Sequence, residues 1–228
     1  MLTYFFILPN ALINQQTRLS KFITLVVEIK TNFMKADKLF QEMKYLFPII
    51  TTNQLNELVP YLSETTIKHR QYLRTPGKNI RLLNFLTEGT ARMFYRNKNG
   101  KEVNIRLEIE NNFIQDYESL LLNTPSNFYI QAIEDCRFIH IDYNQLELLF
   151  VSNQQWEHIA RMMNQLVLLD ISKRALSHLL LSHEEQYKKL IEERPQLISR
   201  FSLEHIASYL GIKRESLSRI RNRIAKRI

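Results

Sequence analysis

Residues 201–228 read FSLEHIASYLGIKRESLSRIRNRIAKRI, and the parsing of that stretch decides the fold. Ser202 suits the N-cap of a helix, and Ile206 and Leu210 follow it at helical spacing. Gly211 ends that helix, because glycine takes the left-handed backbone of a helix stop at little cost. A second helix is predicted from about Lys213, with Leu217, Ile220 and Ile224 along one side. At about 100° per residue, the opposite side carries Glu215, Ser218, Arg219, Asn222 and Lys226. Arg214 and Arg221 flank that side on one edge and Arg223 on the other. Small Ala207 falls where the two helices must cross closely.

This is the spacing of a helix-turn-helix, whose second helix lies in the DNA major groove. Arginine can fork onto guanine edges, and a carboxylate can accept from cytosine. On this reading Arg214, Glu215, Ser218 and Arg219 read bases, and Arg221, Arg223 and Lys226 hold phosphates. From Arg200 onward there are eight Lys/Arg and two Asp/Glu, so +6 of the net +8 sits at this end. The competing reading is a basic helix pair packed on the surface of a larger domain.

Working outward, 228 residues with 45% hydrophobic and 24% charged side chains allow one large or two modest globular domains. Cys136 is the single cysteine. It excludes an intramolecular disulfide and any site needing several thiolates from one chain, and it suits a cytoplasmic protein. The apolar runs near the start, MLTYFFILP and FITLVVEI, are separated by polar residues, and neither reaches the ~20 residues of a membrane span. No signal-peptide pattern is clear, and Met34 opens a stretch that reads like an ordinary beginning. Residues 1–33 are therefore expected to be an extension or a mis-called start.

From Ala36 to Leu62 the apolar period is helical, broken at Pro48. It then changes to two. Strands are expected within 65–73, over 82–86 and 91–95, and near 128–132 and 137–141. Asn99-Gly100 signals a hairpin, and Val103, Ile105, Leu107 and Ile109 alternate beyond it with Asn104, Arg106 and Glu108, as in a half-buried strand. Many short strands with turn signals imply an antiparallel sandwich or barrel. From about Asn153 to Leu181 the helical period returns, with Trp156, Ile159, Ala160, Met163, Leu166 and Val167 in one stripe. That helix could pack on its own β domain or pair with a second copy, and Asp170 and Lys173 interrupt strict heptads. Ser182 and Glu185 form a capping-box pattern for a further helix ending near Pro195.

This order resembles the Crp/Fnr family of bacterial transcription regulators: small helices, a β-roll, one long helix and a C-terminal helix-turn-helix. The resemblance covers about residues 40–228 and is most specific in LGIKRESLSRIRNRI, where Arg214-Glu215 and Arg219 match the family's base-reading residues. The string is similar to that of the branch common in Bacteroidetes. The resemblance implies an α+β protein. Residues 34–152 would form a cyclic-nucleotide-binding-like β-roll (jelly-roll), 153–181 a dimerisation helix and 182–228 a helix-turn-helix unit. It implies a cytoplasmic homodimer on a palindromic double-stranded DNA site, with RNA polymerase as a further partner, no cofactor and no membrane.

The resemblance weakens in the effector pocket. Cyclic-AMP-binding members carry a Gly-Glu pair and, further on, an Arg that holds the cyclic phosphate. Here Gln115 stands for the Gly, Asp116 for the Glu and Ser126, followed by Asn127, for the Arg. Ile159 and Ala160 fall near a base-contacting Thr-Ser pair. Losing the Arg while keeping a carboxylate disfavours a cyclic phosphate. A regulator indifferent to cyclic AMP is expected; the alternative is the same architecture with a working small-molecule sensor. An enzyme on the roll would need clustered His and carboxylate ligands, and only His69 and His140 lie in the β region.

Overall fold

Helices at both ends bracket a pair of antiparallel sheets, in the order the hydrophobic period predicts. The computed structural model describes residues 36–226; the expectation for residues 1–33 lies outside the described residues. Helix α1 covers residues 36–46. Helix α2 (Thr52–Leu58) starts in a capping box between Thr51 and Gln54. The helical pattern read as far as Leu62 stops at Leu58. Pro60 has no N–H to donate, the chain tightens into a 3₁₀ turn over Val59–Tyr61, and Leu62 opens the first strand.

One sheet holds β1 (Leu62–Ile67), β8 (Cys136–Asp142), β3 (Leu82–Glu88) and β6 (Asn112–Phe113), in that order. The other holds β2 (Tyr72–Arg74), β7 (Tyr129–Ala132), β4 (Thr90–Arg96) and β5 (Glu102–Ile109). Leu86, Ile114, Ile130 and Phe138 are fully buried within this roll. Gly89, between β3 and β4, has φ +88, and a Cβ there would lie 2.3 Å from the Asp135 carbonyl oxygen. Two short helices, α3 (Tyr117–Leu122) and α4 (Tyr143–Phe150), were not foreseen by periodicity; each begins at an aspartate N-cap, Asp116 and Asp142.

Helix α5 (Gln154–Leu180) is about 40 Å long. It is followed by α6 (His183–Glu193), which starts in the expected Ser182–Glu185 capping box, then α7 (Pro195–Arg200), α8 (Leu203–Tyr209) and α9 (Arg214–Ala225). The stripe on α5 packs on its own roll: Trp156 and Ile159 are buried, and Met163, Leu166 and Val167 line the same apolar crevice.

Strand β5 is the edge of its sheet, pairing with β4 alone. An open edge presents unpaired backbone groups, and here the C-terminal helices cover it. The Asn104 amide donates to Ser208 Oγ at 3.0 Å, and the Arg174 guanidinium of α5 donates to the Ile105 carbonyl. The polar residues of the strand follow suit. Arg106 pairs with Asp170 of α5 at 2.5 Å, Glu108 with Arg194 at 2.6 Å, and Glu110, just past the strand, with Arg200. Arg200 also holds Glu134, and these carboxylates raise its already high pKa. Buried Leu107 joins Leu197, Phe201, Ile206, Leu210 and Leu217 in one core. A register shift in the β4–β5 pairing breaks the strict alternation, and polar residues of the strand together with Leu107 form the seat of the C-terminal helices.

Candidate nucleic-acid interface and the interior of the roll

Helix α8 is capped by Ser202 Oγ, which accepts from the His205 amide at 3.2 Å. Gly211 takes φ +71, and the Ile212 amide closes the turn on the Ala207 carbonyl at 2.9 Å. This stop aims α9 across α8. Leu217 (0% exposed) and Ile220 share one buried core with Ile206 and Ala207 (1%). The other side of α9 is open. Arg214, Glu215, Arg219, Arg221, Arg223 and Lys226 are exposed, and Ser218 is half-buried among them. Arg214 and Arg219 make no ion pair among the described residues. Arg223 reaches Glu184 of α6 at 2.9 Å, so it is already engaged by a carboxylate of its own chain. The sequence-predicted base-reading and phosphate-holding side chains are therefore exposed or half-buried on α9, with Arg223 tied to α6.

The roll interior is different. Gln115, Asp116 and Ser126 are all buried and brought together. Ser126 Oγ donates to Asp116 Oδ2 at 2.6 Å, while the other carboxylate oxygen accepts from the Ser119 amide and caps α3. Gln115 Oε1 accepts from Asn84 Nδ2 at 2.7 Å, and Asn84 Oδ1 accepts from His140 Nδ1 at 2.9 Å. Burial, with Arg74 nearby, pushes His140 down to about 4, so it is neutral at physiological pH. Arg74 is 3% exposed; its Nη2 donates to the Ile80 carbonyl, and its buried Nη1 has no partner among the described residues. Burial lowers the Arg74 pKa and the Asp116 charge opposes that shift.

Asn127 is exposed and makes no part of this cluster. Ile159 lies in the apolar crevice, about 90 Å³, with Phe47, Leu83, Phe113 and Trp156. Ala160 is half-buried next to it on α5. Sequence reasoning missed Arg74, Asn84 and His140. The available signal was a polar residue in the middle of an apolar run, Asn84 in LLNFL and His140 in FIHID. Burial also raises Cys136 to about 12, which keeps it a thiol.

Residues 64–153 match the cyclic nucleotide-binding domain family. That span runs from within β1 to Asn153, the N-cap of α5, and holds the roll with its buried polar cluster. No protein of curated function matches the chain in sequence. The chain is similar in structure to FixK2 from Bradyrhizobium japonicum, with TM-score 0.60 and 15% identity over 73% of this chain and 85% of that one. It is similar to the c-di-GMP responsive global regulator CLP of Xanthomonas campestris, with TM-score 0.59 and 15% identity over 77% and 92%. It is also similar to the Thermus thermophilus catabolite activator protein, with TM-score 0.50 and 18% identity over 80% and 87%. These likenesses show the fold, a β-roll followed by a long helix and further helices. Among the described residues no helix is long and apolar enough to cross a membrane.

Proposed function

We propose that the chain is a cytoplasmic, dimeric, sequence-specific DNA-binding regulator of the Crp/Fnr type that does not answer to cyclic AMP. The observation that carries the reading is the α8–turn–α9 geometry. Apolar Leu217 and Ile220 fix the second helix, while Arg214, Glu215, Ser218 and Arg219 stand on its open face. A recognition helix needs that division, with long donors free for base edges and a seat that does not move. Arg221, Arg223 and Lys226 would add backbone contacts, Arg223 by exchanging Glu184 for phosphate.

Residues 34–152, 153–181 and 182–228 would act as roll, dimer helix and DNA-reading unit. The face of α5 turned away from the roll exposes Leu168, Leu169, Leu176, Leu179 and Leu180. Such a row calls for an apolar partner, and a second α5 supplies one by symmetry. Two recognition helices then meet a palindrome with half-sites about one helical turn apart.

Against cyclic AMP stands the buried Asp116 carboxylate, which a cyclic phosphate would have to approach, with Ser126 already bound to it. One observation favours a sensor for something else: the buried Arg74 Nη1 could donate to an acceptor brought in by a small effector. The test of the main reading is selection of bound genomic DNA fragments by the purified chain, with and without cyclic AMP, at one salt concentration. A palindromic motif indifferent to the nucleotide is expected. A motif that needs the nucleotide overturns the pocket argument. Binding with no motif that fades as salt rises removes the recognition-helix assignment.

A further inference from the structure

The hairpin joining β4 to β5 lies beside the N-terminal end of α9. We propose that it is a second DNA contact, in which Lys98 and Lys101 grip the phosphate backbone flanking the half-site read by α9. The inference rests on the reading of α9 as a recognition helix and adds a contact from the roll.

Three observations carry it. First, Lys101 shares one cleft of about 560 Å³ with Lys213 and Arg214, the first residues of the recognition helix. A recognition helix points its N-terminal residues at base edges, so whatever borders that end borders the DNA. Second, the cations are available. Lys98 and Lys101 are exposed and make no ion pair among the described residues. The hairpin carboxylate Glu102 is neutralised by Arg92 and Arg96. Glu204 and Glu215 line the same cleft and are the opposing charges there.

Third, the hairpin is rigid and tied to the helix-turn-helix. The Asn97 amide donates to the Lys101 carbonyl at 2.9 Å, and Asn97 Oδ1 accepts from the Asn99 and Lys101 amides at 3.0 Å each. Gly100 completes the turn at φ +74, where a side chain would strain it. At the base of the hairpin, Asn104 Nδ2 donates to the His205 carbonyl at 3.0 Å, and Ser208 Oγ accepts from the Asn104 amide. The hairpin therefore travels with α8 and α9 when they meet DNA. Lysine ammonium groups on a turn tip suit phosphate oxygens and carry no base preference.

The test uses the full chain and a duplex bearing the selected palindrome, one with flanks of about ten base pairs on each side and one without. Salt-dependent affinities are compared for the wild type, Lys98→Gln/Lys101→Gln, and a control pair on other elements, Lys44→Gln/Lys78→Gln. Each lost phosphate contact lowers the slope of log affinity against log salt by about 0.9. The hairpin pair is expected to lose roughly two units per protomer on the flanked duplex, about four for the dimer, which is roughly a hundredfold smaller affinity change between ~50 and ~200 mM salt. The motif stays unchanged, and the difference between the two duplexes disappears. A slope like that of the wild type, or an equal loss in the control pair, overturns the inference and leaves the recognition helix standing. A wild type without sequence preference overturns both.

Discussion

Acidification should destabilise this protein through His140. His140 is 3% exposed and donates from Nδ1 to Asn84, with buried Arg74 nearby. Protonation would place a charge in an interior that cannot solvate it and, secondarily, beside the Arg74 guanidinium. Its pKa accordingly falls from 6.5 to about 4. The folded state binds this proton more weakly than the unfolded chain, so the contribution is complete above about pH 6.5 and is lost as pH falls toward 4. With the folded group half protonated at pH 4, the fall from 6.5 to about 4 corresponds to ~3 kcal/mol lost by that pH. Urea unfolding followed by fluorescence reads it directly, because the single tryptophan, Trp156, is fully buried. His140→Gln should remove about that much of the stability change between pH 7.5 and 4, whatever its stability at neutral pH. Equal pH dependence in wild type and variant would refute the reasoning.

Other consequences follow from particular contacts. Gly89→Ala meets both φ +88 and the Asp135 carbonyl, and should cost roughly 2–4 kcal/mol in denaturant unfolding. Ser208→Ala leaves the Asn104 amide of the β5 edge without its partner at 3.0 Å; a loss of about 1–3 kcal/mol is expected from thermal unfolding. Leu169→Glu/Leu176→Glu charges the exposed apolar face of α5 and should weaken self-association at least roughly a hundredfold in sedimentation velocity.

The two C-terminal helices and the strands were legible because their signals are local. Gly211 between two apolar stripes, the Ser182–Glu185 box and the period-two runs need nothing from the rest of the chain. The reach of the second helical stretch to Leu62 was misread because Pro60 outweighs an apolar spacing that continues past it. The short helices α3 and α4 escaped because six to eight residues give too little periodicity, although their Asp116 and Asp142 caps were visible in the sequence. The stripe from Trp156 to Val167 fitted two partners equally well, and only the fold shows it turned to the roll. The docking of the C-terminal helices on β5 depends on pairs such as Glu108–Arg194 and Glu110–Arg200 across long sequence separations. No local pattern encodes them. In the roll, Gln115, Asp116 and Ser126 could be picked out as one cluster because they lie on one short stretch, but Arg74 comes from another strand.

The central claim is that α9 reads bases, and Arg219 tests it most directly. Equilibrium titration of wild type and Arg219→Ala against the selected palindrome and a scrambled duplex, at one salt concentration, separates reading from charge. The account predicts a loss of ~1–3 kcal/mol on the palindrome with relaxed preference at one base position, and a much smaller loss on the scrambled duplex. An equal loss on both duplexes would mean that Arg219 serves only as a charge, and would contradict the assignment of α9 as a recognition helix.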